Sequence, residues 1–154
     1  MALKGNHRWD PVADSNIDYF VGEVATQGCI LVAPTGTVYP PALDDPANVA
    51  RVPSGAEDGY PVGLLLDEVV NKDLTVTSLN KQKREVAING KVEMATAGEW
   101  ITNQIHSSAT VTIGATGYYA ANGKIHSTGH YPVCTFSSDK DADGYVKIKL
   151  RLGG

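Results

Sequence analysis

The chain has 154 residues and a formal net charge of −4, with 19% charged residues, which fits one domain better than two. A chain of this length folds without needing a disulfide framework or a structural metal. The small acidic charge argues against a general binder of nucleic acid or of an anionic membrane. Neither a membrane-length apolar run nor a signal-peptide core is found in the sequence, so we expect synthesis in a cytoplasm.

Residues 1–20 differ from the rest of the chain. They mix charge, Pro, Gly and Asn with isolated apolar residues, and no helical or strand period is sustained. Fully extended, such a segment reaches up to roughly 66 Å, and apolar anchors favour docking on a surface over a frayed terminus. We predict an extended N-terminal arm over 1–20 and a single β domain over 21–154. The anchors are Leu3, Trp9, Ile17, Tyr19 and Phe20.

Strand patterns begin directly after the arm. Glu23–Ala33 ends in a continuous apolar run, as expected for a strand that is covered on both faces. A shorter pattern at 35–39 stops at a proline pair, because proline cannot donate a hydrogen bond to a sheet. The stretch 42–59 combines proline with acidic residues and predicts a long loop, which is uncommon unless it has a role. Val62–Val70 is strongly apolar and predicts the next strand.

The second half of the chain alternates strand patterns with turn signals. Asn89-Gly90 lies inside Arg84–Met94, and Asn122-Gly123 follows Tyr118-Tyr119; Asn-Gly between alternating runs is typical of a β-hairpin. Further strand patterns lie at 74–79, 98–105, 110–113 and 131–136. About nine short strands joined by turns predict an all-β fold, a β-sandwich or a barrel of jelly-roll type.

The last strand pattern, 145–152, is the clearest. Apolar and polar residues alternate along it, which predicts one buried and one solvated face. The apolar face carries Val146, Ile148, Leu150 and Leu152, and the other face carries Tyr145, Lys147, Lys149 and Arg151. The bases of this strand and the acids of 42–59 either guide contacts between like subunits or are simply solvated.

One acidic segment, Asp139–Gly144, matches the first half of a calcium-binding EF-hand loop. The twelfth position, where a bidentate Glu is required, is Leu150, and the flanking patterns are strands. The alternative is a polar turn that ends in Asp-Gly, with the glycine at positive φ. The departure at Leu150 favours the turn, so we predict no metal site.

Other candidates for catalysis are weak. His126 and His130 are four apart but have no third ligand near them in sequence, which favours surface positions over a metal pair. Cys29 and Cys134 lie in apolar runs and are predicted to be buried and unreactive, with a Cys–His pair formed by folding left open. A nucleophile elbow and a phosphate-binding loop are both missing from the sequence. We predict no catalytic residue and no cofactor, and a protein that is not an enzyme.

Several segments, taken in order, are similar to one known class of protein. They are Leu3-Lys4-Gly5-Asn6, Gly22–Ala25, Gly63–Leu74, Gly90–Asn103 and Asp143–Ile148. Over nearly the whole chain, this order resembles the capsid decoration (cement) proteins of tailed bacteriophages, including those of phages that infect cyanobacteria. The resemblance is one of pattern, and it includes no catalytic signature.

The resemblance implies a β-sandwich or barrel, usually trimeric, on the outside of an expanded icosahedral shell. Such proteins clamp neighbouring major capsid proteins against the pressure of the packaged genome. The implied partners are a phage major capsid protein and further copies of the chain, and the implied location is the capsid exterior. The arm around Leu3, Trp9 and Phe20 would strap onto the capsid or an adjacent subunit. The loop 42–59 would be a further contact or an outward display element.

The leading hypothesis is therefore a structural virion protein that cements the mature head. The alternative is a carbohydrate- or receptor-binding β module of a phage tail or an adhesin. Exposed aromatic side chains would then form a platform for a sugar, with Trp100 and the Tyr118-Tyr119 pair as candidates. Core positions for these aromatics are the competing interpretation. A hydrolase or a metal enzyme would rest only on the histidines and the Asp-rich turn.

Overall fold

The computed structural model describes residues 3–5, 15–34, 49–69 and 84–152. In these ranges the chain forms strands and one 3₁₀ turn at Ala121–Gly123, which confirms the all-β class. The strands are β1 (Leu3–Gly5), β2 (Ser15–Val21), β3 (Ala25–Thr26), β4 (Ile30–Ala33), β5 (Val49–Ala50), β6 (Tyr60–Glu68), β7 (Glu85–Val86), β8 (Lys91–Ala95), β9 (Ala97–Thr102), β10 (Thr116–Tyr119), β11 (Ile125–His126), β12 (Pro132–Phe136) and β13 (Val146–Arg151). The predicted strands at 35–39 and 74–79 lie outside the described residues.

Two larger sheets and a two-stranded ribbon organise these strands. The six-stranded sheet has the order β1-β9-β13-β12-β10-β11, and the five-stranded sheet has the order β4-β6-β8-β2-β5. The ribbon pairs β3 with β7. β2 and β5 run parallel, and the other strand pairs are antiparallel. The arrangement fits the predicted β-sandwich or barrel.

The two larger sheets share a hydrophobic core. The six-stranded sheet contributes Ile148 and Phe136, and the five-stranded sheet contributes Ile30, Val32 and Leu64. The alternation predicted for 145–152 is confirmed along β13, where every second residue is buried. Tyr145 is the exception, since it is buried rather than on the solvated face. It precedes β13, at the end of a turn, so the alternation of the strand does not apply to it.

The five-stranded sheet is covered on its second face as well. Leu31 of β4 packs there in a second cluster with Leu65 and Met94, and Ala25 and Val86 of the ribbon complete it. Because Ile30 and Leu31 belong to different clusters, β4 is buried on both faces. The continuous apolar run in the sequence has this physical origin.

Strand β2 differs from the sequence expectation of an extended arm. Its backbone lies between β8 and β5, with Ser15 opposite Ala95 and Phe20 opposite Lys91. The register shifts between Asn16 and Tyr19, and such a bulge interrupts the alternation of side chains, which explains why the sequence shows no strand period there. The predicted domain boundary after residue 20 therefore falls inside β2.

The two Asn-Gly pairs have different outcomes. Asn122 and Gly123 both have positive φ, 61° and 66°, and join the antiparallel pair β10 and β11, which confirms that hairpin. Asn89 also has positive φ, 63°, but β7 pairs with β3, while β8 pairs with β2 and β6. The hairpin predicted over Arg84–Met94 is wrong, because a turn reverses the chain but does not choose the partner of each strand.

The strand predicted at 110–113 is also wrong. The chain turns there, and the Ala115 N–H donates to the Thr112 carbonyl oxygen at 3.0 Å. Val111 packs against the core while Ile113 is exposed, so two apolar residues at strand spacing satisfy the pattern without a strand.

Gly123 and Gly114 form a matched pair for testing close packing at the β10–β11 turn. Both have positive φ, but a Cβ on Gly123 would lie 2.5 Å from the Ile30 carbonyl oxygen, whereas one on Gly114 would have nothing within 4 Å. We expect Gly114→Ala to lower the free energy of unfolding by about 1 kcal/mol through backbone strain. Gly123→Ala should cost at least about 2 kcal/mol more, because β4 has to shift. Urea denaturation measures both, and equal losses would contradict the contact.

Candidate functional site

For two of the predicted contact residues, Leu3 and Ile17, the structure gives only the position of the backbone. A third, Trp9, is not among the described residues. Leu3 lies in β1, opposite Thr102, at the edge of the six-stranded sheet. Ile17 lies in β2, within the stretch where the register to β8 shifts. The role of these three residues as contacts with a capsid or a neighbouring subunit stays a prediction.

Tyr19 and Phe20 are placed in more detail. Both are half-buried, and Tyr19 packs against the second hydrophobic cluster of the domain. The ammonium nitrogen of Lys91 lies 5.9 Å from the centroid of the Phe20 ring, within the range of a cation–π contact. Tyr19 therefore contributes to the core of its own domain, which the sequence did not indicate.

The Asp-rich segment forms the turn between β12 and β13. The Oδ1 atom of Asp141 accepts hydrogen bonds from the Asp143 N–H at 3.0 Å and the Tyr145 N–H at 2.7 Å, and Gly144 has a φ of 85°. This geometry confirms the polar turn ending in Asp-Gly. Leu150, at the position where calcium would need a Glu, is buried in the core. Over the described ranges, groups of three or more His, Cys, Asp or Glu that could hold a metal ion are not found.

Folding brings His126 next to His106 rather than next to His130. The two ring centroids are 5.1 Å apart, and the Ser108 Oγ lies between them, 2.9 Å from His106 Nδ1 and 3.1 Å from His126 Nε2. The Thr128 N–H donates to His126 Nδ1 at 3.0 Å. That nitrogen therefore accepts, so neutral His126 carries its proton on Nε2 and donates it to Ser108.

The Ser108 hydroxyl, in turn, donates to His106 Nδ1, which also accepts from the Ser108 N–H at 3.3 Å. The arrangement is a directional chain of hydrogen bonds that joins the turn at 106–109 to β11. Among the described residues, neither ring contacts a carboxylate that would orient it as in a catalytic triad. Sequence reasoning missed this pair because a bridge between Ile105 and Ile125, far apart in the chain, brings it together.

Two of the three aromatic residues proposed as a sugar platform are in the core. Trp100 is buried, and its indole N–H donates to the Ala97 carbonyl oxygen at 3.1 Å. Tyr119 is fully buried, and its hydroxyl donates to the Gly59 carbonyl oxygen at 2.6 Å and accepts from the Gly59 N–H at 3.3 Å. Tyr118 is half-buried. The competing interpretation, core packing, is therefore correct for Trp100 and Tyr119.

A different group of side chains forms an aromatic surface, here called the aromatic corner: Tyr60, Tyr131, His130 and Glu57. Tyr60 begins β6, is 53% exposed, and meets the Tyr131 ring at 73° with the centroids 6.4 Å apart. The His130 ring meets the Tyr131 ring edge-on, with the centroids 4.6 Å apart, and the Nδ1 atom of His130 lies 3.8 Å from the Glu57 Oε1. The sequence offered no signal for this grouping, since Glu57 and Tyr60 are far along the chain from His130 and Tyr131.

The loop beside the aromatic corner is held by Asp58. The Asp58 carboxylate accepts hydrogen bonds from the Ser54 N–H at 2.7 Å and the Ser54 hydroxyl at 2.8 Å, and it pairs with the Arg51 guanidinium at 2.6 Å. The bonds from Ser54, and to a smaller extent Arg51, lower the pKa of Asp58. The second part of the predicted loop 42–59 is thus an ordered structure that presents Glu57 to solvent.

Comparisons with protein-family models, with curated proteins and with solved structures found no match to this chain. The described residues include no helix that is long and apolar enough to cross a membrane. A functional assignment therefore rests on the resemblance in sequence pattern and on the geometry of the described residues.

Proposed function

We propose that the chain is a structural virion protein that binds the outside of a tailed-phage capsid and cements neighbouring major capsid proteins. It acts as a homotrimer, adds to a preformed lattice and stabilises the mature head. The role requires contact area and no catalysis. The order of sequence segments supports the class of protein, and strand β1 is the structural observation that supports the way it binds.

Among the described strands, β1 is a short strand at the edge of the six-stranded sheet. Leu3–Gly5 pairs with Trp100, Ile101 and Thr102 of β9 at the border of the six-stranded sheet. Addition of a strand to a sheet edge is a common mode of recognition, in which main-chain hydrogen bonds supply affinity. A pairing of three residues is weak enough to exchange with the equivalent edge on a neighbouring copy.

Chain length permits such an exchange. β1 ends at Gly5 and β2 begins at Ser15, and the intervening residues span up to roughly 33 Å when extended. That distance reaches a neighbouring subunit in a trimer. Because the same edge accepts the same strand in every copy, the contact repeats around a symmetric assembly.

The outer face of the six-stranded sheet supports a second contact. Lys149 and Arg151 of β13 are exposed, and Lys147 pairs with Glu99 of β9 at 3.0 Å. A basic face is complementary to an acidic surface on a capsid or on a like subunit. Contacts that are modest one by one give strong retention when many copies bind one lattice.

A short terminal deletion tests the proposal. We expect a variant that lacks residues 2–5 to remain folded, because it loses only an edge strand, and to bind heads assembled without this protein at least about tenfold more weakly. Co-sedimentation with such heads measures binding, and circular dichroism confirms the fold. A variant that lacks residues 153–154 is the control. If the chain without 2–5 decorated heads as well as the full chain, the proposed strap would be wrong.

A further inference from the structure

We propose that the aromatic corner binds a neutral carbohydrate, with a pyranose ring against the tyrosines and its hydroxyl groups hydrogen-bonded by Glu57 and His130. This activity goes beyond cementing and is independent of it. A surface protein with such a site would attach to glycans through the face that carries the corner.

The corner is preorganised by a buried tyrosine. The Tyr131 ring stacks on the Tyr119 ring with 5.8 Å between centroids and 7° between planes. Tyr119 is itself immobilised by its two hydrogen bonds to Gly59, the residue that precedes Tyr60. One buried side chain therefore supports both the exposed Tyr60 and the half-buried Tyr131, and a rigid site loses little entropy when a ligand binds.

Gly59 lets the chain before β6 lie close against β4 in the five-stranded sheet. A Cβ on Gly59 would collide with the backbone carbonyl of Ala33, so the chain reaches β4 more closely than any other residue would allow. Tyr60 begins β6 in the five-stranded sheet, and Tyr131 precedes β12 in the six-stranded sheet. The corner thus combines a residue at the start of β6 with residues just before β12, and the two tyrosine rings stand at 73° to each other.

The exposure of Tyr60 is unusual for this chain. The other large hydrophobic residues exposed among the described ones are aliphatic: Val24, Val69, Ile88 and Ile113. An aromatic face carries partial negative charge and attracts the polarised C–H groups on one side of a sugar ring. Because the two tyrosine rings stand at a steep angle, a ligand can stack on one ring and contact the edge of the other. This shape suits a small ring-shaped ligand better than the flat surface of a protein partner.

The polar rim matches the hydroxyl groups of a sugar. The side chains of Glu57 and His130 are 79% and 58% exposed and lie 3.8 Å apart, so both remain accessible to a ligand. A carboxylate accepts from two neighbouring hydroxyls at once, and an imidazole both donates and accepts. Since Arg51 is already paired with Asp58, the carboxylate of Glu57 dominates the rim and disfavours anionic sugars.

A glycan array that carries neutral and acidic glycans, probed with the full-length chain, tests the proposal. We expect binding to neutral glycans, and a titration with the methyl glycosides of glucose, galactose and mannose, up to about 10 mM, identifies the sugar. Tyr60→Ala and Glu57→Gln should each weaken binding at least about tenfold, since the first removes the exposed ring and the second removes the charged acceptor. Tyr60 and Glu57 are exposed, so neither change should disturb the fold.

Ile113→Ala is the matched control, because Ile113 is an exposed apolar residue outside the corner. It should leave glycan binding unchanged. The proposal would be overturned by no binding to any glycan, by a preference for acidic glycans, or by equal losses in Tyr60→Ala and Ile113→Ala. A change of oligomer mass in Tyr60→Ala, measured by sedimentation, would overturn it too, since the corner would then be a contact between copies.

Discussion

Deletion of residues 1–20 is expected to abolish folding, whereas deletion of residues 2–5 should leave a folded domain. The longer deletion removes nearly all of β2, which lies between β8 and β5 in the five-stranded sheet. It takes away the packing of Tyr19 against the core and leaves the paired edge of β8 open. The loss is comparable with the whole stability of a small domain, about 5–15 kcal/mol.

Circular dichroism and heat denaturation of the two purified variants measure this difference. The full-length chain is the reference, and the chain that lacks residues 2–5 is the matched control. We expect a cooperative transition for the control and none for the longer deletion. A cooperative transition after removal of 1–20 would show that β2 is not an integral strand of the sheet.

This difference also decides how capsid attachment is tested. A chain without residues 1–20 would fail to bind a capsid because it is unfolded, and the failure would say nothing about a strap. Removal of β1 alone separates the two effects, since an edge strand of three residues contributes little to the core. The location of β2 in the sheet therefore restricts the strap to the residues before Ser15.

Both cysteines are expected to react with a thiol reagent about a thousandfold more slowly in the native protein than in the unfolded chain. Cys29 and Cys134 are buried in different hydrophobic clusters. Burial raises the pKa of each thiol to about 12. Only the thiolate is nucleophilic, and at pH 8 its fraction falls by more than about a thousandfold when the pKa moves from about 8.5 to 12.

The rate of modification by a chromogenic disulfide at pH 8, with and without denaturant, measures the effect. Thr135→Cys is the positive control, because Thr135 neighbours Cys134 on β12 but is exposed on the opposite face. The introduced thiol should react at the rate of an ordinary exposed cysteine. Fast modification of either native cysteine would contradict the burial of that thiol. It would also support a reactive Cys–His pair formed by folding, an alternative that the sequence left open.

The sequence by itself determined the features that depend on neighbouring residues. The alternation in β13 and the apolar run of β4 follow from side chains that point to opposite faces of a strand at successive positions. The turn at Asp141–Gly144 follows from a side chain that bonds the backbone two and four residues on. Such local signals were sufficient for the all-β class.

Only the tertiary structure decided which strands pair and which side chains meet. The bulge in β2 interrupts the strand period, so the sequence predicted an extended arm where the structure has a paired strand of a sheet. His106 and His126 are joined by a bridge between distant segments, and Tyr60 meets Tyr131 although the two are far apart along the chain. The physical reason is that such contacts depend on the packing of the whole domain. The residue pattern along one segment does not indicate which other segment will pack or pair with it.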